Sequence, residues 1–406
     1  MSVDQRLPRA GLWFAVSLAL VTILGPSGTD MYLASLPDIV ADFGSTAATG
    51  HLTLTVYLLA MGAGQLVFGP VIDAIGRRTP LLIALVVFLG SSVWAAASPD
   101  MASLLASRTL QGLAAAMTLV VAISMVRDRA DGTRAAQLFA LLMTIEGLAP
   151  VLAPTVGGFV DTAFGWRAVL LVLAGLAAVA LVNTAVSLPE SLPREQRSSL
   201  NVGSIARTYA RIARDSGFLL PALGLSSVFF FLFAYIGGAT FVYQETFGLS
   251  ADTFGLVFGG TGLAVMVGAI IAGRTVARFG AGQLAVAGSI LIVVGSALAL
   301  TLVAVGAGLW GVVAGMGVAL LGVGIGEATL MALAMSSQHR SLGSTAALLG
   351  AFQLIISSAA TPVSGALVSG GATPWLVFLV ASGLVGLVIV GISARRAPVV
   401  ADLGSH

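Results

Sequence analysis

Twelve stretches of the chain are apolar for long enough to cross a lipid bilayer, and short polar breaks separate most of them. A helix needs roughly 20 apolar residues to span the hydrocarbon core. Runs of that kind lie at about 11–36, 51–71, 80–98, 101–126, 135–160, 166–188, 218–243, 253–275, 282–304, 308–335, 344–369 and 374–394. Arg6 and Arg9 ahead of the first run imitate a signal peptide. The run is too long for one and no small-residue cleavage pattern follows, so it reads as a retained first span. The longest polar stretch, Pro189 to Gly217, divides the spans six and six. Residues 1–188 and 218–406 therefore read as two six-helix bundles, with 189–217 as a linker. Within the linker, Ser204–Asp215 carries Arg207, Arg211 and Arg214 at helical spacing. It reads equally as an amphipathic helix on the membrane surface or as a solvated connection.

The halves echo each other. Gly69 and Gly76 follow the second run; Gly273 and Gly280 follow the eighth, 204 residues on. Pro154-x-x-Gly157 recurs as Pro362-x-x-Gly365, 208 residues on. The expected fold is all-α and integral to the membrane: twelve transmembrane helices in two halves related by a pseudo-two-fold axis. Duplicated bundles with a site between them are the architecture of alternating access.

Composition agrees and narrows the class. The 406 residues are 58% hydrophobic and 9% charged, against about 25% charged in an average soluble domain. A soluble fold, a disordered chain, a nucleic-acid binder and a secreted disulfide scaffold are all excluded. There is no cysteine, and all 19 basic residues are arginine. Their placement sets the topology. With the amino terminus inside, the cytoplasmic segments receive every arginine except Arg108, within a span, and Arg167. Both termini are then cytoplasmic and the protein sits in the plasma membrane. Trp94, Trp166, Trp310 and Trp375 fall near outer ends and Trp13 near an inner one, as interface anchors do.

Ionisable groups inside a span are functional candidates, because burying them in lipid is costly. Four qualify: Asp30, Arg108, Glu146 and Glu327. Asp30 and Arg108 each lie about seven residues in from the outer surface, roughly 10 Å deep. That matched depth permits a charge pair or a shared hydrogen-bond network. Gln111, one turn from Arg108, shares its face. Glu146 and Glu327 each read equally as a cation or proton site and as a protonated packing residue. His51, His339 and His406 sit at or outside span ends without clustering, so no metal site is expected. The run Phe229, Phe230, Phe231, Phe233 and Tyr235 covers all sides of a helix, and lipid contact is its favoured reading. No extramembrane segment could hold a catalytic domain, which argues against an enzyme or an ATP-driven pump. Nothing calls for a cofactor.

Four motifs then resemble a known family. Gly69-Pro70-Val71-Ile72-Asp73-Ala74-Ile75-Gly76-Arg77-Arg78 is similar to the G-x-x-x-D-x-x-G-R-[RK] signature of the major facilitator superfamily. Arg108-Thr109-Leu110-Gln111-Gly112 resembles its R-x-x-Q-G motif, and Pro150, Pro154, Gly157 and Gly158 its antiporter motif. Thr29-Asp30-Met31-Tyr32-Leu33-Ala34-Ser35-Leu36-Pro37 resembles the T-D-M-Y-L-P-A-L-P of Bcr/CflA-type drug exporters. The resemblance implies a proton-driven antiporter of small lipophilic drugs, working as a monomer among membrane lipids. Asp30 becomes the residue whose protonation competes with the drug, tuned by Arg108. Asp73, Arg77 and Arg78 become contacts of an inner gate, with Asp73 favourably placed near a helix amino terminus. The prolines and glycines of the fifth span bend it and bring it against the opposite half. There are departures: Ala34 stands for a proline, which weakens the expected bend there. Ala277 stands where a second Asp73 would, making the gate asymmetric. A specific metabolite exporter of the same fold and a transport-inactive membrane receptor or scaffold remain as alternatives.

Overall fold

The computed structural model describes residues 9–130, 132–197, 200–338 and 342–396. Among them the secondary structure is helical throughout, with 12 helices long and apolar enough to cross a membrane. These spans run Trp13–Asp42, Ala47–Ile75, Arg78–Ala96, Met101–Arg129, Gly147–Phe164, Trp166–Ser187, Ser216–Thr246, Ala251–Phe279, Ala281–Ala304, Gly308–Ser336, Leu342–Gly370 and Ala372–Arg395. One end of the bundle carries the loops with Arg77, Arg78, Arg129, Arg194 and Arg278; the other carries Arg167.

Several boundaries differ from expectation for local reasons. The first span continues past Pro37 to Asp42, because Pro37 begins a new helix, Leu36–Asp42, at a position that needs no backbone donor. Just before it the helix breaks: Leu24–Asp30 is followed by a 3-10 turn at Leu33–Ser35. The interruption forms with Ala34 in place, so a proline there is not needed to make it. The fifth span belongs to one helix, Gly132–Phe164, continuous through Pro150 and Pro154. The seventh ends in a π turn, Val242–Thr246. The eleventh is interrupted between Leu342–Ser358 and Ala360–Leu367, mirroring the first in having a broken outer segment.

Close approach of helices depends on small residues, since lipid supplies no hydrophobic drive between spans. The two fifth-span glycines serve different partners. A Cβ on Gly158 would lie 2.2 Å from the Ala251 carbonyl oxygen of the eighth span, in the opposite half. A Cβ on Gly157 would lie 1.7 Å from the Met31 carbonyl oxygen, at the break of the first span. The expectation that this motif faces the opposite half therefore holds for Gly158, whereas Gly157 packs within its own half.

The halves meet along two seams. The second span meets the eleventh, with the Thr55 and Thr361 hydroxyls 2.8 Å apart in the buried contact. The fifth meets the eighth, where Thr155 Oγ1 donates to the Gly255 carbonyl at 3.0 Å. Toward the arginine-poor end the first and seventh spans join, Gln244 Nε2 donating to the Ala34 carbonyl at 2.9 Å. These contacts close that end.

The linker forms a helix, Val202–Arg214, capped by Asn201, whose side chain accepts from the Ser204 N–H at 2.9 Å. Its apolar face rests on protein: Ile212 is buried and the Tyr209 hydroxyl donates to the Leu66 carbonyl at 3.0 Å. Arg207, Arg211 and Arg214 are exposed on the opposite face. The aromatic run is a correction. Phe231, Phe233 and Tyr235 are buried inside the second half, and lipid contact is not their main environment. Tyr235 stacks on Phe258 with ring centroids 5.5 Å apart.

Gly157→Ala is expected to destabilise by about 1–3 kcal/mol, the usual cost of overpacking, because the added methyl meets backbone that cannot rotate away. Gly69→Ala, with open space around its Cα, is expected to be neutral or slightly stabilising. Thermal unfolding in detergent, followed by size-exclusion chromatography, checks the difference; equal melting of the two variants contradicts it.

Candidate functional site

Arg108 is fully buried in the fourth span, and the structure shows what keeps a guanidinium there. Its Nη2 donates to the Gly28 carbonyl at 2.7 Å, and its Nη1 donates to Gln111 Oε1. The cation lies between two aromatic faces, 4.5 Å from the Tyr32 ring centroid and 4.4 Å from that of Tyr57. A cation–π contact is worth about 2 kcal/mol or more when desolvated. Gln111 passes the network on, its Nε2 donating to Ser92 Oγ of the third span at 2.7 Å. Gly112 makes the arrangement possible: a Cβ there would lie 2.3 Å from the Tyr57 carbonyl oxygen, so the second and fourth spans touch backbone to backbone.

Asp30 ends the helix Leu24–Asp30 and is 7% exposed. It forms no ion pair with Arg108, whose guanidinium meets two neutral oxygens and two aromatic rings. The two charges instead share a neighbour. Tyr57 lies within electrostatic reach of both, and its hydroxyl donates to the Gly25 carbonyl at 3.0 Å. Tyr32, two residues past Asp30, is bonded through its hydroxyl to Thr53. Sequence reasoning found Asp30, Arg108 and Gln111 but missed both tyrosines. Tyr32 stood in the quoted first-span motif, whereas Tyr57 carries no local signal.

The two remaining acids separate. The side chain of Glu146 lies outside the described residues. Glu327 is partly buried in the tenth span. On that helix Gly324 faces Val265 of the eighth span and Gly326 faces Val228 of the seventh. Glu327 thus lies on the face between them, and both of these helices touch the other half. It makes no hydrogen bond or ion pair among the described residues.

At the arginine-rich end the loop motif forms a network inside the first half. Arg77, 5% exposed, pairs with Asp73 at 2.6 Å and with Asp128 at 3.0 Å. Arg78 donates to the Leu188 and Ala185 carbonyls at 2.9 and 2.7 Å. Gly76 ends the second span's helix at a φ of 103°, a conformation that favours glycine. Gly69 lies two turns earlier, with nothing close to its Cα. Two expectations are corrected here. Asp73 occupies the last turn of the helix Ala47–Ile75, a carboxyl end, and the residue that caps the third span is Glu190 of the linker. Its two oxygens accept from the Arg77 and Arg78 N–H groups at 2.9 and 3.3 Å. Secondly, neither Arg77 nor Arg78 reaches the opposite half among the described contacts. The arginine that does is Arg127, whose Nη1 would be 3.2 Å from a Cβ on Gly343 of the eleventh span. The second copy of the loop has no such network: Arg278 lies over the Phe279 ring at 5.2 Å, and no ion pair forms there among the described residues.

A bundle of twelve spans in two halves, with a buried cation and a buried carboxylate in the first, is the build of a membrane transporter. The chain belongs to the Major Facilitator Superfamily, whose family model matches residues 18–362; it is not an enzyme. It is 34% identical over 356 residues to the uncharacterized MFS-type transporter YdgK of Bacillus subtilis, covering 87% of this chain and 89% of that one. A bicyclomycin resistance protein homolog of Haemophilus influenzae is 29% identical over 291 residues, covering 71% and 73%. The multidrug resistance protein MdtL of Escherichia coli is 36% identical over 183 residues, 45% of this chain and 46% of MdtL. Among solved structures, the xylose transporter XylE of E. coli in a partially occluded inward-open conformation superposes with a TM-score of 0.74 at 15% identity, covering 96% of this chain and all of that one. The human organic anion transporter MFSD10 superposes at 0.68 and 19% identity, covering 95% and all of that chain. Both likenesses concern the fold.

Glu190 yields a pH-dependent outcome. Burial pushes its carboxyl up, but N–H groups of Arg77, Leu192, Arg78 and Ser191 outweigh that and hold it below its usual 4.5. Because the folded state holds the charged form more firmly, its stabilisation is present above about pH 4.5 and is lost as pH falls below that value. Glu190→Gln is expected to cost about 1 kcal/mol near neutral pH, in the range of a lost helix cap. The deficit relative to wild type shrinks on acidification toward pH 4. Melting measured against pH checks this; a constant deficit contradicts it.

Proposed function

We propose that the protein is a proton-coupled antiporter that exports small lipophilic compounds across a bacterial plasma membrane by alternating access. The observation that carries the reading is the Tyr57 junction: a buried carboxylate and a fully buried guanidinium bear on one aromatic ring without pairing. With Asp30 ionised, two opposite buried charges bear on Tyr57. With Asp30 protonated, the charge of Arg108 is compensated only by carbonyl, amide and ring dipoles. Proton binding therefore changes the field in the space where a ligand would lie. Compounds that bind with Asp30 ionised are displaced when it takes a proton, which is the exchange an antiporter needs.

The resemblance of the first-span motif to drug exporters, and the similarity to proteins named for bicyclomycin and multidrug resistance, support drugs as the cargo. Arginine distribution supports a cytoplasmic arginine-rich end, so the closed end faces outside. In the cycle that follows, a proton from outside loads Asp30, the carrier turns inward, and proton release lets cargo bind from the cytoplasm or inner leaflet. A potential of 100 mV contributes about 2.3 kcal/mol per net charge moved, enough to drive exchange of a neutral compound for a proton. No cofactor takes part.

Inverted membrane vesicles holding a proton gradient, reported by a pH-sensitive dye, test the reading. Chloramphenicol-like compounds and lipophilic cations, added in turn, are expected to collapse the gradient with wild type and not with Asp30→Asn. Full coupled transport by Asp30→Asn removes Asp30 from the mechanism. No response from any compound with correctly inserted wild type favours a dedicated metabolite carrier.

Arg108→Lys gives a second expected outcome. An ammonium lacks the planar face that stacks between Tyr32 and Tyr57 and the fork that reaches both Gly28 and Gln111. Coupled transport is expected to fall at least tenfold with insertion retained; equal loss of folded protein instead assigns Arg108 to structure alone.

A further inference from the structure

His51 lies one turn into the second span and is fully buried. Two spans of the opposite half close on its ring. Phe241 of the seventh span meets it edge-on, with centroids 5.1 Å apart. Gly365 of the eleventh leaves it room: a Cβ there would lie 2.4 Å from His51 Cδ2. Gly50, its neighbour, packs against Val40 of the first span's last helix. The backbone of Gly237 is a polar neighbour, yet neither ring nitrogen makes a hydrogen bond of normal geometry. This is a titratable ring with two unpartnered nitrogens, held in the contact that seals the two halves at the arginine-poor end.

We propose that His51 is a proton-binding residue of that seal, neutral while the seal is closed and charged when it opens to the outside medium. The inference rests on the alternating-access reading above. Charged groups at that end are engaged elsewhere. On the first span, Asp38 lies against Asp161 of the fifth, and Asp42 pairs with Arg167 at 2.8 Å. On the eighth, Asp252 lies at Ser250 and Thr162. On the seventh, Tyr243 bonds Tyr235 and Glu245 is exposed. The second and eleventh spans place no charged side chain on the ring.

An imidazolium in the closed seal would be desolvated with no counter-charge, a state worth several kcal/mol of penalty. Opening exposes the ring to water, where an imidazole titrates near its ordinary pKa of about 6.5. A proton that binds the open state alone shifts the equilibrium toward it. Lowering the outer pH from 7.5 to 5.5 therefore raises the open-to-closed ratio about tenfold through this one group. His51 would hold the outer mouth open while Asp30 collects its own proton, so the two residues act in series rather than as one site.

The test uses full-length protein in lipid nanodiscs. The native chain has no cysteine, so Ala41→Cys and Ser369→Cys place spin labels at the arginine-poor end without competing sites. The background carries Asp30→Asn, which removes that residue's own pH response. Pulsed electron spin resonance distances are expected to show the long-distance population relative to the short rising about tenfold between pH 7.5 and 5.5 with His51, and staying flat with His51→Gln. An equal rise with His51→Gln overturns the proposal. If His51→Gln does not fold, nitrogen NMR of histidine-labelled Asp30→Asn protein decides. There are three histidines, and the buried one must become protonated in parallel with opening; a ring that stays neutral while the population shifts overturns the proposal. Absence of a long-distance population at every pH, with His51 present, overturns it together with the alternating-access reading. Opening that ignores His51 leaves that reading standing.

Discussion

A guanidinium buried in a membrane-spanning helix is the constraint around which the first half is built. Arg108 has no carboxylate to neutralise it, so its charge is spread over a carbonyl, an amide and two ring faces. Those partners lie on the first, second and fourth spans, and Gln111 reaches on to Ser92 of the third. The first span must expose the Gly28 carbonyl, the second must turn Tyr57 toward the fourth, and the fourth must carry Gly112 so that backbones can touch. Four spans are thereby locked into register by one cation. Asp30 ends a helix segment against this assembly, where a change in its charge is felt by the groups that hold Arg108.

The same logic separates the two ends of the molecule. At the arginine-rich end, charges pair with charges, and Glu190 of the linker ties the cap of the third span to the chain between the halves. At the opposite end the seal is made by small residues, threonines, an unpartnered histidine and neutral hydrogen bonds such as that from the Gln244 amide to the Ala34 carbonyl. Charged contacts within one half resist being broken as the halves move. A dry contact between halves opens as soon as a buried group gains from meeting water. The first and eleventh spans are both broken toward this end, so the seal coincides with the least regular backbone.

Much of this was legible in the sequence because lipid imposes strict rules. Span number and the position of the linker follow from hydropathy. The end of the first span was missed because Pro37 reads as a terminator when it in fact starts a helix. The tyrosines that hold Arg108 were out of reach for a different reason: Tyr57 is fixed by contact across three helices, and no local pattern marks it. Glu190 lay in a polar linker whose residues looked merely solvated. The aromatic run was misjudged because residues on all sides of a helix are consistent with lipid or with protein until the neighbours are known.

Asymmetry between the halves is the feature with most bearing on mechanism. A duplicated unit could have carried two copies of the loop network and two buried cations. Here Ala277 stands in place of a second Asp73, Arg278 rests on Phe279, and the second half offers Glu327, which has no ion-pair partner among the described residues. The first half therefore holds a preorganised, charged framework, and the second presents an aromatic interior with one free carboxylate. The ordered half fixes the position of the buried charges. The second half, whose contacts with the first are mostly glycine against backbone, is then free to rock against it without breaking a charge pair.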